Sequence, residues 1–209
     1  MSLPMHIGLD FDNTIVSYDS LFHKVALEAG IITKDIHTSK VMIRDHLRLK
    51  GQESAWTNMQ GYVYGSRMGE AVIYPGVIDF LIWARGEGIP MSIISHKTRY
   101  PIQGERFDLH EAATKWIEHN LTDTVGPLIE SKNIYFEATK EAKVKRICRA
   151  NCDVYVDDLP EILVDPAFPA LATKILFDPD NHHLQSSITR AGHWTDIANF
   201  LKLQWKSKA

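Results

Sequence analysis

Length, composition and charge already restrict what this protein can be. The sequence has 209 residues, of which 44% are hydrophobic and 23% charged, and its formal net charge is −3. This composition is typical of a globular protein and argues against a disordered chain. The charge forms no basic cluster, which disfavours a dedicated nucleic-acid binder. Because the length exceeds one average domain, we expect a core of about 150 residues and a smaller insert.

Targeting signals and cysteines indicate the cellular compartment in which we expect the protein. No apolar run reaches the roughly 18 residues that a membrane span needs, and the first ten residues lack the basic start and apolar run of a signal peptide. Cys148 and Cys152 exclude a disulfide framework, and their spacing differs from the CxxC of redox and zinc sites. We therefore expect buried thiols in a cytoplasmic protein with neither a membrane nor a nucleic-acid partner. The oligomeric state stays open.

Short apolar segments alternate with helical patterns along most of the chain. Continuous runs rich in β-branched residues predict strands buried on both faces at residues 6–9, 91–94, 134–136, 154–156 and 174–177. Helical spacing of apolar residues predicts helices at 76–85, 109–119, around 144–148 and at 196–203, the last with Thr195 as its N-cap. This alternation predicts right-handed βαβ crossovers, and hence an α/β fold with a Rossmann-like doubly wound parallel sheet.

Residues 16–73 depart from this alternation. Between residues 18 and 73 there is no convincing strand, but helical patterns occur at residues 20–29, 39–50 and 53–64, and Gly30 and Gly51 end the first two. An all-helical segment inserted directly after the first strand predicts a small cap at the sheet edge. We therefore expect a core of residues 1–15 and 74–209 and a helical cap of residues 16–73.

Polar side chains cluster where the predicted strands end. Asp10 and Asp12 follow the first strand, Ser95 follows the second, and Asp157 and Asp158 follow the fourth. In an open α/β sheet the carboxyl ends of the strands border the active crevice. Carboxylates this close repel unless a cation or proton lies between them, and oxygen ligands of this kind suit Mg²⁺. With a lysine and a serine hydroxyl for an anionic substrate, the set predicts phosphoryl transfer with a carboxylate nucleophile.

These motifs resemble those of the haloacid dehalogenase (HAD) superfamily. Residues 9–14, Leu-Asp-Phe-Asp-Asn-Thr, are similar to its first motif, Ser95 to its second, and the Asp157-Asp158 pair to its acidic fourth. The likeness spans residues 5 to about 177 in the family's order. It implies a Rossmann-like core in which the strands of the first and fourth motifs are adjacent. The helical insert is similar to the family's small C1-type cap.

The resemblance also implies a role for each motif residue. Asp10 would be the nucleophile that forms an aspartyl-phosphate. Asp12 would protonate the leaving group and then activate water, while Ser95 would hydrogen-bond the phosphoryl group. Asp10, the backbone carbonyl of Asp12 and Asp157 would hold Mg²⁺, with Asp158 or Glu161 in support. Because the family's dehalogenases lack the second aspartate, Asp12 disfavours dehalogenation.

The implied activity is that of a Mg²⁺-dependent phosphatase acting on a small phosphorylated metabolite. A phosphotransferase or phosphomutase of the same fold is one alternative, and a non-catalytic regulatory or binding module is another. All the essential residue types are present, which weighs against the second. The identity of the substrate lies beyond the sequence, since one fold serves many substrates.

Several residues keep two interpretations at this stage. The lysine of the third motif is Lys143, which leads into the apolar positions of its helix, or Lys140, nearer the helix start. Asp158 and Glu161 support the metal or cap the helix that follows them. Substrate contact is expected for Thr14, His96 and Arg99, although the last two also fit a solvated loop. A basic stripe of the cap, either solvated or meeting an anionic leaving group, comprises Lys40, Arg44 and Arg48.

Overall fold

The protein is described here by a computed structural model that covers residues 5–208. In chain order the strands are β1 (Ile7–Leu9), β2 (Val16–Ser17), β3 (Val72–Ile73), β4 (Met91–His96), β5 (Thr122–Asp123), β6 (Gly126–Pro127), β7 (Ile134–Glu137), β8 (Val154–Asp157), β9 (Thr173–Phe177) and β10 (Thr189–Ala191). The α-helices are α1 (Asp19–Glu28), α2 (Lys40–Leu49), α3 (Glu53–Tyr64), α4 (Val77–Gly86), α5 (Leu109–Asn120), α6 (Lys140–Arg149), α7 (Pro160–Leu163) and α8 (Trp194–Lys208). Short 3₁₀ turns occur at Met68–Glu70 and Ser131–Asn133.

Six strands form one parallel sheet in the order β10-β9-β8-β1-β4-β7. The order reverses at β1, whose Ile7 lies opposite Met91 of β4 on one side and Val154 of β8 on the other. This is the doubly wound order of Rossmann-type folds, which places the binding crevice at the carboxyl ends of the strands beside the reversal. The predicted fold class is therefore confirmed.

The five predicted strands are all present, and the sheet has one more that the sequence did not predict. β10 is a short edge strand of Thr, Arg and Ala, which carries no apolar run. The small antiparallel hairpin of β5 and β6 was not predicted either. The prediction of Thr195 as an N-cap is wrong, because α8 already begins at Trp194. There the Asp196 carboxylate accepts a hydrogen bond from the amide of His193 (3.2 Å), which satisfies a free donor at the helix start.

Internal contacts divide the chain into two compact units. The core unit comprises residues up to 15, residues 73–96 and the chain from 121 onward, and it contains the six-stranded sheet. The helical unit comprises residues 16–72 and 97–120. Residues 97–120, which the sequence assigns to the core, therefore group with the helices of the expected cap. None of the described helices is both long and apolar enough to cross a membrane.

The helical unit is built around aromatic side chains. Phe22 of α1 stacks on Trp56 of α3, with ring centroids 5.0 Å apart. Helices α1 and α2 are followed by Gly30 and Gly51 in left-handed conformations (φ 66° and 69°), and the Ser39 hydroxyl caps α2 by accepting from the Met42 amide. These boundaries follow the sequence prediction closely.

Close packing explains why residues 97–120 group with these helices. The indole Nε1–H of Trp116 on α5 donates to the buried carbonyl of Ala71 (3.0 Å). The loop before α5 lies against α3 at Gly61 and at Gly65, which follows its last residue. A Cβ there would come within 2.7 Å of Pro101 and 2.5 Å of Phe107, respectively. The glycines thus permit a contact that a larger residue would block.

Candidate active site

Asp10 follows β1 at the point where the sheet order reverses. Its amide donates to the carbonyl of Val156 on β8 (2.9 Å), so the backbone hydrogen bonding continues one residue beyond the strand. Its side chain is buried, and its Oδ2 accepts from the hydroxyl of Thr14 (3.4 Å). Thr14, expected to contact substrate, is itself fully buried. In this structure its hydroxyl therefore orients Asp10.

The ammonium group of Lys143 lies between two carboxylates. Thr139 caps α6 by accepting from the amide of Ala142, and Lys143 lies on the buried face of the helix. Its Nζ is 2.6 Å from Asp10 Oδ1 and 2.6 Å from Asp157 Oδ2, and only 1% of its side chain is exposed.

The alternative lysine occupies a different environment. Lys140, the first residue of α6, donates to Glu161 at the surface (2.8 Å), and the side chains of both are about half exposed. Of the two lysines, the structure thus brings Lys143 to Asp10.

Burial and charge oppose each other in this cluster. Burial lowers the pKa of Lys143, but the carboxylates of Asp10 and Asp157 outweigh it and hold the pKa above its ordinary value. Lys143 therefore remains a cation. For Asp157, burial raises the pKa to about 7, and the repulsion by Asp10 contributes in the same direction, while Lys143 opposes both. Lys143 thus offsets only part of the effect of burial and of the repulsion between the two carboxylates, and both favour a proton on Asp157.

Asp158 adds a third carboxylate. Single oxygens of Asp10, Asp157 and Asp158 lie within 4.8 Å of one another. Hydrogen-bond donors hold Asp157, the last residue of β8, and Asp158, which follows it. Leu159 donates its amide to Asp157 Oδ1 (3.0 Å), and Asn13 donates its side-chain amide to Asp158 Oδ2 (3.3 Å). Three carboxylate groups thus bring their oxygens together beside the ammonium group of Lys143. Oxygen donors with this charge fit a hard divalent cation such as Mg²⁺.

Ser95 contributes a hydroxyl from β4, the neighbour of β1. The residue is 1% exposed, and its Oγ has no hydrogen-bond partner among residues 5–208. Buried hydroxyls are rarely left in this state, so such a donor is a natural ligand for a bound anion. His96 follows it and has its Nε2 3.2 Å from the carbonyl of Ala138. Burial lowers the pKa of His96 below its ordinary value, so its neutral form prevails at pH 7.

Comparison with solved structures assigns the fold. A HAD-superfamily hydrolase from Ehrlichia chaffeensis matches 98% of both chains with a TM-score of 0.56 and 17% identity. A structure described as a predicted phosphatase from Clostridium acetobutylicum matches 96% of this chain and 99% of its own with a TM-score of 0.62 and 12% identity. An L-2-haloacid dehalogenase matches 96% of this chain and 100% of its own, with a TM-score of 0.52 and 11% identity. The chain has the HAD-superfamily fold. No protein-family model and no curated protein matches the sequence.

Within this HAD fold, the structure separates the residues that the sequence grouped as metal ligands. Asp10, Asp157 and Asp158 come together, whereas the side chain of Asp12 is not part of the carboxylate cluster found among the described residues. The resemblance implies the backbone carbonyl of Asp12 as the ligand rather than its side chain, and Asp12 is half-buried. Glu161 is engaged by Lys140 instead.

Asn13 is a site residue that the sequence reasoning did not single out. It has a left-handed backbone conformation (φ 58°), which asparagine tolerates better than most residues, and its side chain reaches Asp158. Its place directly after Asp12, inside the segment 9–14, was the available signal.

Other basic candidates belong to the helical unit. Arg99 pairs with Asp108 there (2.9 Å), Arg44 with Asp45 (2.8 Å) and Arg48 with Glu53 (2.7 Å). Lys40 lies over the rings of Phe22 and Tyr64, with its Nζ 5.8 and 5.5 Å from their centroids. Two members of the predicted basic stripe thus have acidic partners on their own unit.

Proposed function

We propose that this protein is a Mg²⁺-dependent phosphatase that hydrolyses a small phosphorylated metabolite through an aspartyl-phosphate on Asp10. The observation that carries the proposal is the buried Asp10 carboxylate, hydrogen-bonded by Lys143 and Thr14 and accompanied by two further carboxylates. Two oriented donors hold this carboxylate in a defined position, as a nucleophile requires. The cluster lies at the carboxyl ends of β1 and β8, where this fold class binds its ligands.

The proposed reaction uses the side chains of Asp10, Asp12, Ser95 and Lys143. Asp10 attacks the phosphorus atom, the bond to the leaving oxygen breaks, and Asp12 donates a proton to that oxygen. In the second half, Asp12 takes a proton from water, the water oxygen attacks the phosphorus, and the bond to Asp10 breaks as inorganic phosphate forms. Lys143 and the hydroxyl of Ser95 stabilise the phosphoryl oxygens throughout.

The cation would be held by Asp10, Asp157 and Asp158, together with the backbone carbonyl of Asp12. When bound, Mg²⁺ supplies neutralising charge for the phosphoryl group and for the clustered carboxylates. Asn13 would keep the carboxylate of Asp158 in place and the amide of Leu159 that of Asp157, as the hydrogen-bond partners of metal ligands do.

Similar structures include proteins described as phosphatases and as dehalogenases, so the proposal has to be distinguished from dehalogenation. The second aspartate and the clustered carboxylates provide this distinction. Dehalogenases of the superfamily have no residue equivalent to Asp12 and need no metal. Here Asp12 is present, and three carboxylates cluster beside the ammonium group of Lys143. Both features support phosphoryl chemistry.

The test is a Mg²⁺-supplemented assay on an aryl phosphate and a panel of phosphorylated metabolites, repeated with EDTA. We expect turnover that requires the metal and falls by at least about 10³-fold in Asp10→Asn, because the nucleophile is lost. Asp79→Asn, which makes the same change at an exposed position of α4, is the matched control. Metal-independent turnover, or activity retained in Asp10→Asn, would contradict the proposal. Release of inorganic phosphate distinguishes hydrolysis from transfer to another hydroxyl.

A further inference from the structure

Tyr155 is a buried residue at the centre of the sheet whose side chain reaches beyond its own strand. It belongs to β8 and lies opposite Gly8 of β1, and its hydroxyl donates to the carbonyl of Ile94 on β4. A Cβ at Gly8 would come within 2.5 Å of the ring, so the aromatic ring occupies the space that a side chain at this position would fill. Tyr155 thus extends from β8 across β1 to β4, three adjacent strands of the sheet.

These three strands carry the site residues of the sheet. Tyr155 precedes Asp157 by two residues, and Gly8 precedes Asp10 by two. Ile94 is the residue immediately before Ser95, whose hydroxyl has no partner among the described residues. The hydrogen bond to Ile94 therefore acts directly on the backbone that presents Ser95.

The same ring also faces the lysine of the site. Lys143 Nζ lies 5.9 Å from the ring centroid of Tyr155, within the range of a cation–π interaction. Val144 and Ile147, on the buried face of α6, belong to the same apolar cluster as Tyr155. The ring therefore supports both the helix that carries Lys143 and the ammonium group itself.

We propose that Tyr155 is a positioning residue that holds Ser95, Asp10 and Lys143 in register by linking β8, β1 and β4. The expected effect on catalysis rests on the proposed function. The expected effect on the structure rests on the contacts of Tyr155 alone. The hydroxyl sets the position of Ser95 through Ile94, and the ring sets the position of Lys143. The two parts can be removed separately.

The first experiment compares Tyr155→Phe with Phe168→Leu. Phe168 packs edge-on against Tyr155 in the same cluster (5.9 Å between centroids) and makes no contact with the site residues among those the structure gives, so it controls for a damaged core. We expect Tyr155→Phe to lower kcat by about tenfold with a nearly unchanged KM, because misplacing Ser95 weakens transition-state contacts. Phe168→Leu should lower the melting temperature at least as much and leave kcat nearly unchanged.

A second measurement does not depend on turnover. Amide hydrogen exchange at Ser95 and His96 should accelerate by about tenfold in Tyr155→Phe and stay near wild type in Phe168→Leu. In NMR spectra, the ε-methylene protons of Lys143 should keep their ring-current shift in Tyr155→Phe and lose it in Tyr155→Leu. If the wild-type protein shows no phosphatase activity, the proposed function fails, and these two signals alone decide the role of Tyr155.

The results separate positioning from simple core packing. Loss of kcat and faster exchange confined to Tyr155→Phe support the inference. Equal losses of kcat in Tyr155→Phe and Phe168→Leu, in proportion to their melting temperatures, would overturn it. Unchanged exchange at Ser95 in Tyr155→Phe would overturn it as well.

Discussion

The two units of the chain each place a cation between two carboxylates, with opposite surroundings. In the core unit, Lys143 lies between Asp10 and Asp157 and is almost completely buried. In the helical unit, Arg67 lies between Glu28 (2.6 Å) and Glu70 (2.9 Å), where 16% of the arginine side chain and 40–47% of the two glutamate side chains are exposed to solvent. Solvent screens the second arrangement and not the first. The same pattern of charges therefore has a large energetic effect in one unit and a small one in the other.

The balance of charge differs as well. Around Arg67, Lys24 pairs with Glu70 (2.7 Å), so two cations meet two carboxylates and the group is neutral. Around Lys143, two buried carboxylates, Asp10 and Asp157, share one ammonium group, and Asp158 brings a further carboxylate oxygen within 4.8 Å. A buried imbalance of this kind is unfavourable without a further cation or proton. Imbalance together with burial, rather than the number of ion pairs, distinguishes a site from a stabilised surface.

Replacement of Lys143 is the strongest test of this difference. In Lys143→Met, Asp10 and Asp157 lose their shared partner, and we expect a loss of about 3–5 kcal/mol in the free energy of unfolding. Activity should fall by about 10³-fold, because the positive charge at the phosphoryl group is lost. Urea denaturation and the Mg²⁺-dependent phosphatase assay measure the two effects.

Lys140→Met is the matched control on the same helix. Its partner Glu161 is exposed, so we expect a cost of about 0–1 kcal/mol and essentially unchanged activity. If Lys140→Met abolished activity while Lys143→Met did not, the contrast between buried and exposed charges would be refuted at this site.

Much of the core unit was predictable because local pattern and global fold agree there. The strands of the sheet centre are continuous apolar runs, and parallel strands bring their carboxyl ends together, so residues far apart in sequence, such as Asp10, Ser95 and Asp157, could be grouped in advance. The helical spacing of Lys143 with Val144 and Ile147 indicated its buried face. What spacing could not give was the second carboxylate that Lys143 contacts, which depends on the distance between β1 and β8.

The remaining features depend on contacts that no local pattern specifies. The apolar face of α5 predicts burial, but the carbonyl of Ala71 that receives the Trp116 indole lies 45 residues away. β10 has only polar and small residues, and besides its backbone pairing with β9 its Arg190 pairs with Asp178 (3.1 Å), which directly follows β9. The position of Asn13 against Asp158 likewise requires the turn after β1 to be known in three dimensions.

Gly65 tests whether packing, rather than exposed charge, stabilises the helical unit. Gly65→Ala places a Cβ 2.5 Å from Phe107, which must shift, and we expect a loss of about 1–3 kcal/mol. Gly69→Ala is the control, since nothing lies within 4 Å of a Cβ there. It should be neutral, or stabilising by up to about 1 kcal/mol. Equal effects of the two substitutions in thermal unfolding would contradict the close contact.

The smallest expected effect concerns Glu70, the partner of Arg67 in the helical unit. The hydrogen bond from Arg67, aided by Lys24, lowers the pKa of Glu70 from 4.5 to about 2. A carboxylate whose pKa is lower in the folded state stabilises the fold above its ordinary pKa, and this contribution disappears as the pH falls toward 2. The melting temperature of Glu70→Gln should therefore lie a few degrees below wild type near pH 7, and the difference should shrink below pH 4.5.

Salt and a second variant separate this pair from a buried one. The difference between wild type and Glu70→Gln should also shrink in 0.5 M NaCl, because ions screen exposed charges. Glu118→Gln, at another exposed position of the helical unit, is the control variant, and its melting temperature should stay near that of the wild type at pH 7. A difference that persists unchanged at pH 3 and at high salt would mean that Glu70 acts through packing. The proposed distinction between the solvent-screened cluster around Arg67 and the buried cluster around Lys143 would then fail for the helical unit.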